Sequence, residues 1–466
     1  MVFTSNIFLF YFLPIVLAVY YLLPRGRNAV LTIASYVFYG WWQPWWVLLM
    51  LASTVLDYVC GNLIATPGAS QRQRRIALTT AIVGDLGLLA FFKYYAFTAE
   101  NLSRLLEVFG AGPLPILAVT LPIGISFYTF ESMSYTIDVY RGEVRSVRRF
   151  SDLSCFVSLF PHLVAGPIVR YNVLAEQIHS RTHTAAKFTQ GISLFILGFG
   201  KKILLANPMG TVADAAFGAA APPGLDAWIG VIAYAFQIYF DFSGYSDMAI
   251  GLGRMFGFVI PRNFSSPYLA ESITDFWRRW HISLSTWLRD YLYVPLGGNR
   301  KGPTRTYINL TVVMLLGGLW HGANWTFVAW GAYHGALLAF ERWRLKTSLY
   351  ERLPRLGRIA VTFSLVLFSW VLFRAADISH AMAYYAAMFG AGGADGASSL
   401  LGASTFDPYH LTIFLICAVV SFRRVEVYDW IEVLSWRKAL ALVLLLGVAI
   451  SAMFTQAFNP FLYFQF

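Results

Sequence analysis

The feature that most restricts the fold of this chain is the length of its apolar runs that carry no Asp, Glu, Lys or Arg. These runs cover residues 5–24, 28–56, 306–340 and 439–466. About 20 apolar residues in a helix are enough to cross the hydrocarbon core of a bilayer. The composition agrees, because 58% of the residues are hydrophobic and 13% are charged, whereas a soluble chain carries about 25% charge. We therefore predict an all-α integral membrane protein.

The apolar segments predict about eleven or twelve transmembrane or re-entrant helices, in a single multi-pass domain over residues 1–466. The second run is long enough for two spans, which we expect to turn at the tryptophan-rich stretch 41–46, since indole rings favour the membrane interface. The later predicted spans cover residues 76–97, 114–139, 153–168, 188–205, 225–252, 306–340, 359–373, 411–422 and 440–454. Residues 389–404, rich in Gly, Ala and Ser, form the most loop-like segment.

Basic residues lie in short clusters between the apolar segments. The clusters are Arg25 and Arg27; Arg72, Arg74 and Arg75; Arg141, Arg145, Arg148 and Arg149; Lys201 and Lys202; Arg423 and Arg424. Because cytoplasmic loops are enriched in Lys and Arg, we expect the loop with Arg25 and Arg27 in the cytoplasm and the N-terminus on the outer side. The net charge of +11 thus reflects membrane topology, and we expect contacts with membrane lipids and no nucleic-acid partner.

The third apolar run carries an imidazole in its middle and basic residues on both flanks. If both flanks are cytoplasmic, the run forms a hairpin whose limbs each reach about 25 Å, slightly less than the hydrocarbon thickness. His321 then lies near the apex, where Gly317, Gly318 and Gly322 let the helix break. Broken backbone at membrane depth lines a cavity or is buried in protein, so the pattern predicts a pocket. An interhelical hydrogen bond from His321 is the alternative.

Residues 272–300 contain a predicted amphipathic helix at the cytoplasmic surface, which Ser272 or Thr274 caps and which Pro295 with Gly297 and Gly298 ends. Its aromatic face carries Trp277, Trp280, Leu284, Trp287 and Tyr291, and its basic face carries Arg278, Arg279 and Arg289. We expect the guanidinium groups to line the mouth through which a phosphate-bearing donor enters, with His281 facing inward, because the guanidinium fork can bond two phosphate oxygens. The alternative is that the Trp and Arg side chains only anchor the segment among lipid headgroups.

A third polar cluster, Asp241, Ser243 and Asp247, lies inside the predicted span at residues 225–252. Charged groups at membrane depth are costly and are therefore candidates for function. A structural role is the other interpretation, in which the carboxylates hold helices together or pair with the arginines of residues 272–300.

Motifs of several enzyme classes are absent from the sequence. It contains no G-x-S-x-G, G-x-x-x-x-G-K-[ST], H-E-x-x-H or C-x-x-C pattern, which argues against a serine hydrolase, a P-loop ATPase and a zinc hydrolase. Cys60, Cys155 and Cys417 are too scattered for a disulfide framework or a metal site. A buried histidine without its own nucleophile suits general-base catalysis, in which it deprotonates a hydroxyl that attacks an activated acyl group. We assign that role to His321 and interpret His334 as a packing residue.

Five stretches of the sequence resemble the membrane-bound O-acyltransferase (MBOAT) family, in its bacterial exopolysaccharide branch. They are LPIGISFYTFESMSYTIDVYRG from Leu121, FPHLVAGPIVR from Phe160, QIYFDFSGYSDMAIGLG from Gln237, FWRRWHISLSTWLRDYLYVPLGGNR from Phe276 and LLGGLWHGANWTFVAWGAYHG from Leu315. The resemblance runs from the N-terminus to about residue 345, with its motif core at about 115–345. It implies a ring of membrane helices around a central tunnel, the essential histidine at His321 and a second catalytic histidine at His281.

The resemblance also implies an O-acetyltransferase of the bacterial inner membrane that passes acetyl groups from a cytoplasmic donor, acetyl-CoA, toward a periplasmic acceptor. It implies no tightly bound cofactor. The implied partners are a periplasmic acetyltransferase and a polysaccharide synthesis or export complex. The implied product is an O-acetylated exopolysaccharide, with alginate as the first choice and another polymer such as cellulose as the alternative. We expect substrate contacts from Trp320, Asn324, Arg278, Arg279, Trp280, Arg289, Asp290, Tyr293, Asp241 and Ser243.

Two other classes of protein stay open from the residues alone. A transporter or flippase for acyl or glycan groups also needs Asp and His residues within the membrane, and it would return acetyl-CoA intact. A scaffold for a polysaccharide synthase or export complex would be required for polymer secretion itself. Loss of an acetylase, by contrast, leaves the polymer made but unmodified.

Overall fold

The computed structural model describes residues 1–219, 222–344, 352–391, 407–424, 426–456 and 461–462. Regular secondary structure within these ranges is helical, and no strand occurs among them. A helix satisfies its backbone hydrogen bonds within one segment, which an apolar surrounding requires. The prediction of an all-α protein is therefore confirmed.

The chain divides into two compact units, each of which uses two segments of sequence. Unit 1 contains Met1–Phe195 and Met248–Pro261, and unit 2 contains Ile196–Asp247 and Arg262–Phe466. Helices α10 (Ala185–Gly200) and α12 (Gly224–Met255) give residues to both units. The single multi-pass domain over the whole chain stays a prediction.

The helices of unit 1 confirm the predicted turn within the second apolar run. Besides the shared helices, unit 1 contains α1 (Leu13–Leu22), α2 (Arg27–Gly40), α3 (Trp45–Ala65), α4 (Gln71–Leu89), α5 (Tyr95–Val108), α6 (Ile125–Arg141), α7 (Phe150–Ser158), α8 (Phe160–Leu163) and α9 (Tyr171–His179). Residues 41–44 separate α2 from α3, and Trp41 and Trp42 are exposed there. Exposed indole rings at a helix turn suit the membrane interface.

Two of the predicted spans in unit 1 are wrong. Residues 111–124 are not helical, and α6 begins only at Ile125. Pro115 and Pro122 lie in this stretch, and proline lacks the N–H that a helix interior needs. The apolar segment 153–168 does not form one helix either, because it is split between α7 and α8, which are largely buried.

Buried carboxylates connect α3, α4 and α6 within unit 1. Asp57 of α3 accepts hydrogen bonds from the hydroxyl groups of Ser132 and Thr136 on α6. Asp85 of α4 accepts one from the hydroxyl group of Ser53 on α3 at 2.7 Å. Helices in an apolar surrounding associate through such polar contacts. A single Asp inside an apolar run does not reveal its partners, so these contacts have no signal in the sequence.

Unit 2 contains the predicted hairpin. Its helices besides α10 and α12 are α11 (Asn207–Gly218), α13 (Ile273–Arg279), α14 (Ile282–Leu288), α15 (Pro303–His321), α16 (Trp325–Trp343), α17 (Arg355–Arg374), α18 (Ile378–Met388), α19 (Pro408–Ser421), α20 (Val427–Glu432) and α21 (Trp436–Thr455). The hairpin consists of α15 and α16, with 19 residues each, so each limb is about 28 Å long. A Cβ on Gly331 of α16 would lie 2.4 Å from the carbonyl oxygen of Met314 on α15. The two backbones are therefore in direct contact.

Five helical segments in the described ranges are long and apolar enough to cross a membrane. They are Trp45–Ala65, Gln71–Val108, Ala185–Gly218, Arg355–Arg374 and Trp436–Thr455, and the shorter apolar helices are Phe8–Leu22 and Pro408–Ser421. The chain is thus a multi-pass membrane protein. The larger total of eleven or twelve elements and the central tunnel stay predictions. Most of the expected loop at 389–404 and part of the run at 439–466 lie outside the described residues.

We expect Gly331→Ala to destabilise the protein by about 1–3 kcal/mol, because the added methyl group forces the backbones of α15 and α16 apart. The matched control is Gly447→Ala in α21, where a Cβ would meet nothing within 4 Å and alanine favours the helix by up to about 1 kcal/mol. Thermal unfolding of the detergent-purified protein measures both changes. Equal melting temperatures for the two variants would contradict direct backbone contact in the hairpin.

Candidate active site

The hairpin turns directly after His321, as the sequence predicts. α15 ends at His321, Gly322 is extended with φ −164°, and α16 begins after Asn324. Asn324 caps α16, since its Oδ1 accepts the N–H of Thr326 at 3.0 Å, while its Nδ2 donates to the carbonyl oxygen of Ala376 at 2.8 Å. The side chain of Asn324 thus fixes the turn beside His321, and its predicted contact with substrate stays a prediction.

The expected helix break at Gly317 and Gly318 is wrong. α15 continues through both residues, and a Cβ on Gly318 would lie 2.2 Å from the carbonyl oxygen of Phe327 on α16. Only Gly322 lies at the break. Glycine permits close packing of backbones as readily as it permits a turn, and here Gly318 serves the packing.

The amphipathic helix predicted to run from Ser272 to Pro295 is not continuous. Ser272 caps α13 as expected, with its Oγ accepting the N–H of Asp275 at 3.0 Å. A break at His281 then separates α13 from α14. His281 has φ 43° and ψ 55°, which is the left-handed conformation that residues with a Cβ rarely adopt. The periodic pattern could not predict this break.

Asn263 holds the break at His281 in place. Its backbone carbonyl accepts the N–H of Ile282 at 2.9 Å, and its Oδ1 accepts the N–H of Ser283 at 3.2 Å. Its Nδ2 donates to the hydroxyl group of Ser246 at 3.2 Å. The first turn of α14 is therefore fixed to a fully buried amide. No motif or periodicity marks Asn263 in the sequence, because its partners are distant along the chain.

The two histidines predicted to be catalytic lie side by side in unit 2. The ring centroids of His281 and His321 are 6.4 Å apart, and the two residues are 0% and 4% exposed. Aromatic rings enclose the pair: Phe242 lies 4.6 Å from His281, while Trp330 and Phe373 lie 5.2 Å and 5.1 Å from His321. In an enclosure of this low polarity, electrostatic interactions with a reacting group are stronger than in water.

Trp320 and Trp280, both expected to contact substrate, have different positions. The ring of Trp320 lies 6.0 Å from that of His281 and 5.1 Å from that of His321, so it borders both imidazoles. Trp280 is buried against Trp370, with the ring centroids 5.0 Å apart. Trp320 is therefore a wall of the site, and Trp280 packs in the interior of unit 2.

Two of the three arginines predicted to line a phosphate-accepting mouth already contact carboxylates. Arg279 donates from Nε to Asp275 at 2.9 Å. Arg289 forms two hydrogen bonds with Asp290, at 2.6 Å and 3.0 Å. Arg278, the third arginine, is exposed, and Tyr293, which is predicted to contact substrate, is half-buried. A phosphate group would have to share or displace these carboxylates, and the substrate contacts of this segment stay predictions.

The polar cluster on α12 is paired with two lysines. Nζ of Lys202 lies 2.5 Å from Oδ1 of Asp241, and Nζ of Lys201 lies 2.6 Å from Oδ2 of Asp247. Oδ2 of Asp241 also accepts the backbone N–H of Leu462 at 2.7 Å. The carboxylates therefore hold helical segments together, which agrees with the first of the two structural interpretations. Their partners are lysines, so the expected pairing with the arginines of residues 272–300 is wrong.

Lys201 and Lys202 form one of the basic clusters expected between apolar segments, but they do not lie in a loop. They lie in the π-helical turn Lys201–Ala206 between α10 and α11, where only 6% of the Lys202 side chain is exposed. A buried ammonium group is tolerated when it is paired. Ser243, which lies near Asp241 on α12, is also buried, and its contact with substrate stays a prediction.

His334 packs inside the hairpin region. Its Nδ1 accepts the indole N–H of Trp277 at 3.3 Å, and its ring lies 4.8 Å from that of Trp330. This environment agrees with the interpretation of His334 as a packing residue. Across the described ranges, no three His, Cys, Asp or Glu side chains converge as ligands for a metal ion.

The described residues thus combine several apolar helices that are long enough to cross a membrane with a pair of imidazoles enclosed by aromatic rings. The chain matches the family model described as MBOAT, membrane-bound O-acyltransferase family, over residues 1–373. It is 44% identical to the probable alginate O-acetylase AlgI of Azotobacter vinelandii and 46% identical to that of Pseudomonas putida, with 100% of each chain covered in both cases. It is 32% identical to the peptidoglycan O-acetyltransferase of Helicobacter pylori, over 100% of this chain and 98% of that protein. The chain belongs to the membrane-bound O-acyltransferase family.

We expect Asp241→Asn to destabilise the protein by about 3–5 kcal/mol, because it leaves the ammonium group of Lys202 buried without its carboxylate. The double variant Lys202→Met with Asp241→Leu removes both charges and should recover most of the lost stability. Asp290→Asn is the control, since its partner Arg289 is exposed and such a pair contributes about 1 kcal/mol or less. Thermal unfolding measures all three variants, and an Asp241→Asn protein as stable as the control would refute the buried pair.

Proposed function

We propose that this chain transfers acetyl groups from cytoplasmic acetyl-CoA toward a periplasmic acceptor, for the O-acetylation of an exopolysaccharide. The observation that carries the proposal is the pair of buried imidazoles, His281 and His321, whose centroids are 6.4 Å apart in a chain of the acyltransferase family. Acyl transfer from a thioester to a hydroxyl group needs a base for the hydroxyl proton and a donor for the carbonyl oxygen. Two adjacent imidazoles can supply both.

His321 is the general base of the proposed reaction. Its neutral imidazole takes the proton of the acceptor hydroxyl group while the hydroxyl oxygen attacks the carbonyl carbon of the thioester. The new C–O bond forms as the C–S bond breaks, and coenzyme A leaves as a thiolate that takes the proton from the imidazolium. A base in this role contributes about 10²–10⁴-fold to the rate.

His281 is the positioning and assisting group. Asn263 fixes the left-handed backbone at His281, so the backbone that carries the imidazole has one conformation before substrate arrives. A hydrogen-bond donor aimed at the carbonyl oxygen stabilises the negative charge that develops there during the attack. Trp320 borders both rings and, with Phe373 beside His321, excludes water that would hydrolyse the thioester.

Alginate is the first candidate for the polymer. Two relatives that match this chain over their full length are named as probable alginate O-acetylases. Another polymer, such as cellulose, is the second candidate. One relative is named as a peptidoglycan O-acetyltransferase, so the names of the relatives include more than one polymer. A carrier without chemistry is disfavoured, since acyl transfer defines the family to which the chain belongs.

The proposed setting is the inner membrane of a bacterium, with the N-terminus in the periplasm. The basic residues Arg25 and Arg27 directly after the first apolar run support this orientation. In this setting acetyl-CoA is a cytoplasmic co-substrate, and no cofactor is tightly bound. A periplasmic acetyltransferase receives the acetyl group, and a polysaccharide synthesis or export complex brings the polymer to it.

We expect His321→Ala to lower acetyl transfer by about 10²–10⁴-fold, because the general base is lost. The matched control is His334→Asn, a change at another buried histidine in which the amide oxygen can still accept the indole N–H of Trp277. Consumption of radiolabelled acetyl-CoA by purified protein, with the acceptor present, measures both variants at matched melting temperatures. Full activity of the His321→Ala variant would remove the proposed base.

We expect His281→Asn to fold and to retain a small part of the activity, because asparagine accepts the left-handed backbone at this position but lacks the imidazole. His281→Val should unfold at a lower temperature, since a β-branched residue is strained at φ 43°. Thermal unfolding separates the two variants, and acetyl transfer then isolates the contribution of the ring. Equal melting temperatures with unchanged activity would contradict both roles of His281.

A further inference from the structure

Unit 1 contains a pocket of about 510 Å³ that no step of acyl transfer uses. Its walls come from residues 24–29 at the start of α2, residues 149–152 at the start of α7, and residues 178–183 after α9. All of these residues belong to unit 1. A cavity of this size accommodates a small ligand or the head of a larger one.

The lining of the pocket is strongly basic. It carries the guanidinium groups of Arg25, Arg27, Arg149 and Arg181, and Asp152 is the one carboxylate among its lining residues. Asp152 contacts His179, with Nδ1 of the histidine 3.7 Å from Oδ2. The guanidinium groups therefore leave the pocket with a net positive charge, which favours an anionic ligand.

Two helices begin at the pocket wall. α2 starts at Arg27 after Gly26, and α7 starts at Phe150 after Arg149, and neither has a side-chain hydrogen bond at its N-cap. The N–H groups of a first helical turn and the positive end of the helix dipole both attract anions. The helix ends thus add to the charge of the arginines.

Arg27 and Arg181 are held in place by neutral groups. Nη1 of Arg27 donates to Nδ1 of His183 at 3.0 Å, while Arg181 donates from Nε to the hydroxyl group of Tyr20 at 2.9 Å and from Nη1 to Oδ1 of Asn28 at 2.8 Å. Nε of Arg27 and Nη2 of Arg181 are buried and have no hydrogen-bond partner within the described residues. Because protein atoms enclose these two N–H groups, they contribute positive charge to the pocket and do not face its open space.

His183 orients Arg27 without neutralising its charge. Burial, and then the charges of Arg27 and Arg181, lower the pKa of His183 below its ordinary value, so the imidazole is neutral at pH 7. Because Nδ1 accepts from Arg27, the proton lies on Nε2, which donates to the hydroxyl group of Tyr20 at 2.8 Å. That hydroxyl group donates to the carbonyl oxygen of Phe256 at 2.6 Å. The network keeps both guanidinium groups in place for a ligand.

We propose that this pocket binds a phosphate ester, whose oxygens accept hydrogen bonds from the guanidinium groups of Arg27 and Arg149, with Arg181 adding positive charge. The planar guanidinium group matches the geometry of phosphate oxygens, and the helix N-termini complete the binding of the anion. Two sources carry this group: the headgroup of an anionic phospholipid and a soluble phosphate monoester. The proposal rests on the net positive charge of the pocket and on guanidinium groups that are fixed in place. It does not depend on the function of His321.

The test uses the full chain purified in a maltoside detergent, which carries no phosphate. One arm titrates sn-glycerol 3-phosphate, and the other titrates dioleoylphosphatidylglycerol, with the melting temperature as the readout and native mass spectrometry to count bound lipid. A ligand that binds the folded state raises the melting temperature in a saturable way. Stabilisation by the soluble ester assigns a soluble source, and stabilisation by the lipid alone assigns a headgroup. Stabilisation by neither probe would overturn the proposal.

The pocket variant is Arg27→Gln with Arg149→Gln, and the control is Arg72→Gln, an exposed arginine outside the pocket. We expect the pocket variant to need an at least about tenfold higher concentration of the effective probe, since each lost charged hydrogen bond is worth about that factor. The control should match the wild type. An identical dependence on the probe in the two variants would overturn the proposal.

A second measurement covers the case in which the double variant does not fold. Hydrogen–deuterium exchange of the wild-type chain, with and without the effective probe, should show protection at residues 24–29, 149–152 and 178–183. The exposed Arg149→Gln single variant should show weaker protection at the same probe concentration. Protection confined to other segments would place the ligand elsewhere and refute the pocket.

Discussion

The contact between the backbones of α15 and α16 is the constraint on which the active site depends. Gly318 and Gly331 leave no Cβ between the two helices, and small residues are what allow helices to approach this closely in an apolar surrounding. The chain therefore has to reverse direction within Gly322 to Asn324, and His321 becomes the last residue of α15. A larger residue at either glycine would separate the limbs and move the imidazole away from His281.

Two sets of buried ionisable groups in unit 2 have different uses. Asp241 and Asp247 are paired with Lys202 and Lys201, so their charges are compensated and stabilise the packing of unit 2. The imidazoles of His281 and His321 are instead enclosed by aromatic rings, where a neutral base can take up a proton during acyl transfer. Charge compensation thus stabilises the packing of unit 2, and the proposed chemistry belongs to the enclosed imidazoles.

The sequence predicted the features that depend on local pattern, and it did not predict those that depend on distant partners. The hairpin and the position of His321 follow from one uncharged run with basic flanks, and the two-helix turn at residues 41–44 follows from its tryptophans. The break at His281 does not follow, because it is held by Asn263 and Ser246, which lie elsewhere in the chain. The pairing of Lys202 with Asp241 does not follow either, since only the fold brings the two side chains together.

The most direct test of acetyl transfer to a polymer is the O-acetyl content of polysaccharide secreted by a strain in which the gene for this chain is deleted. The proposed function predicts that the strain secretes a normal amount of polymer without O-acetyl groups, and that the wild-type chain supplied in trans restores them. Unchanged O-acetylation in the deletion strain would contradict the function, and loss of secretion itself would identify a scaffold or export component in place of an acetyltransferase.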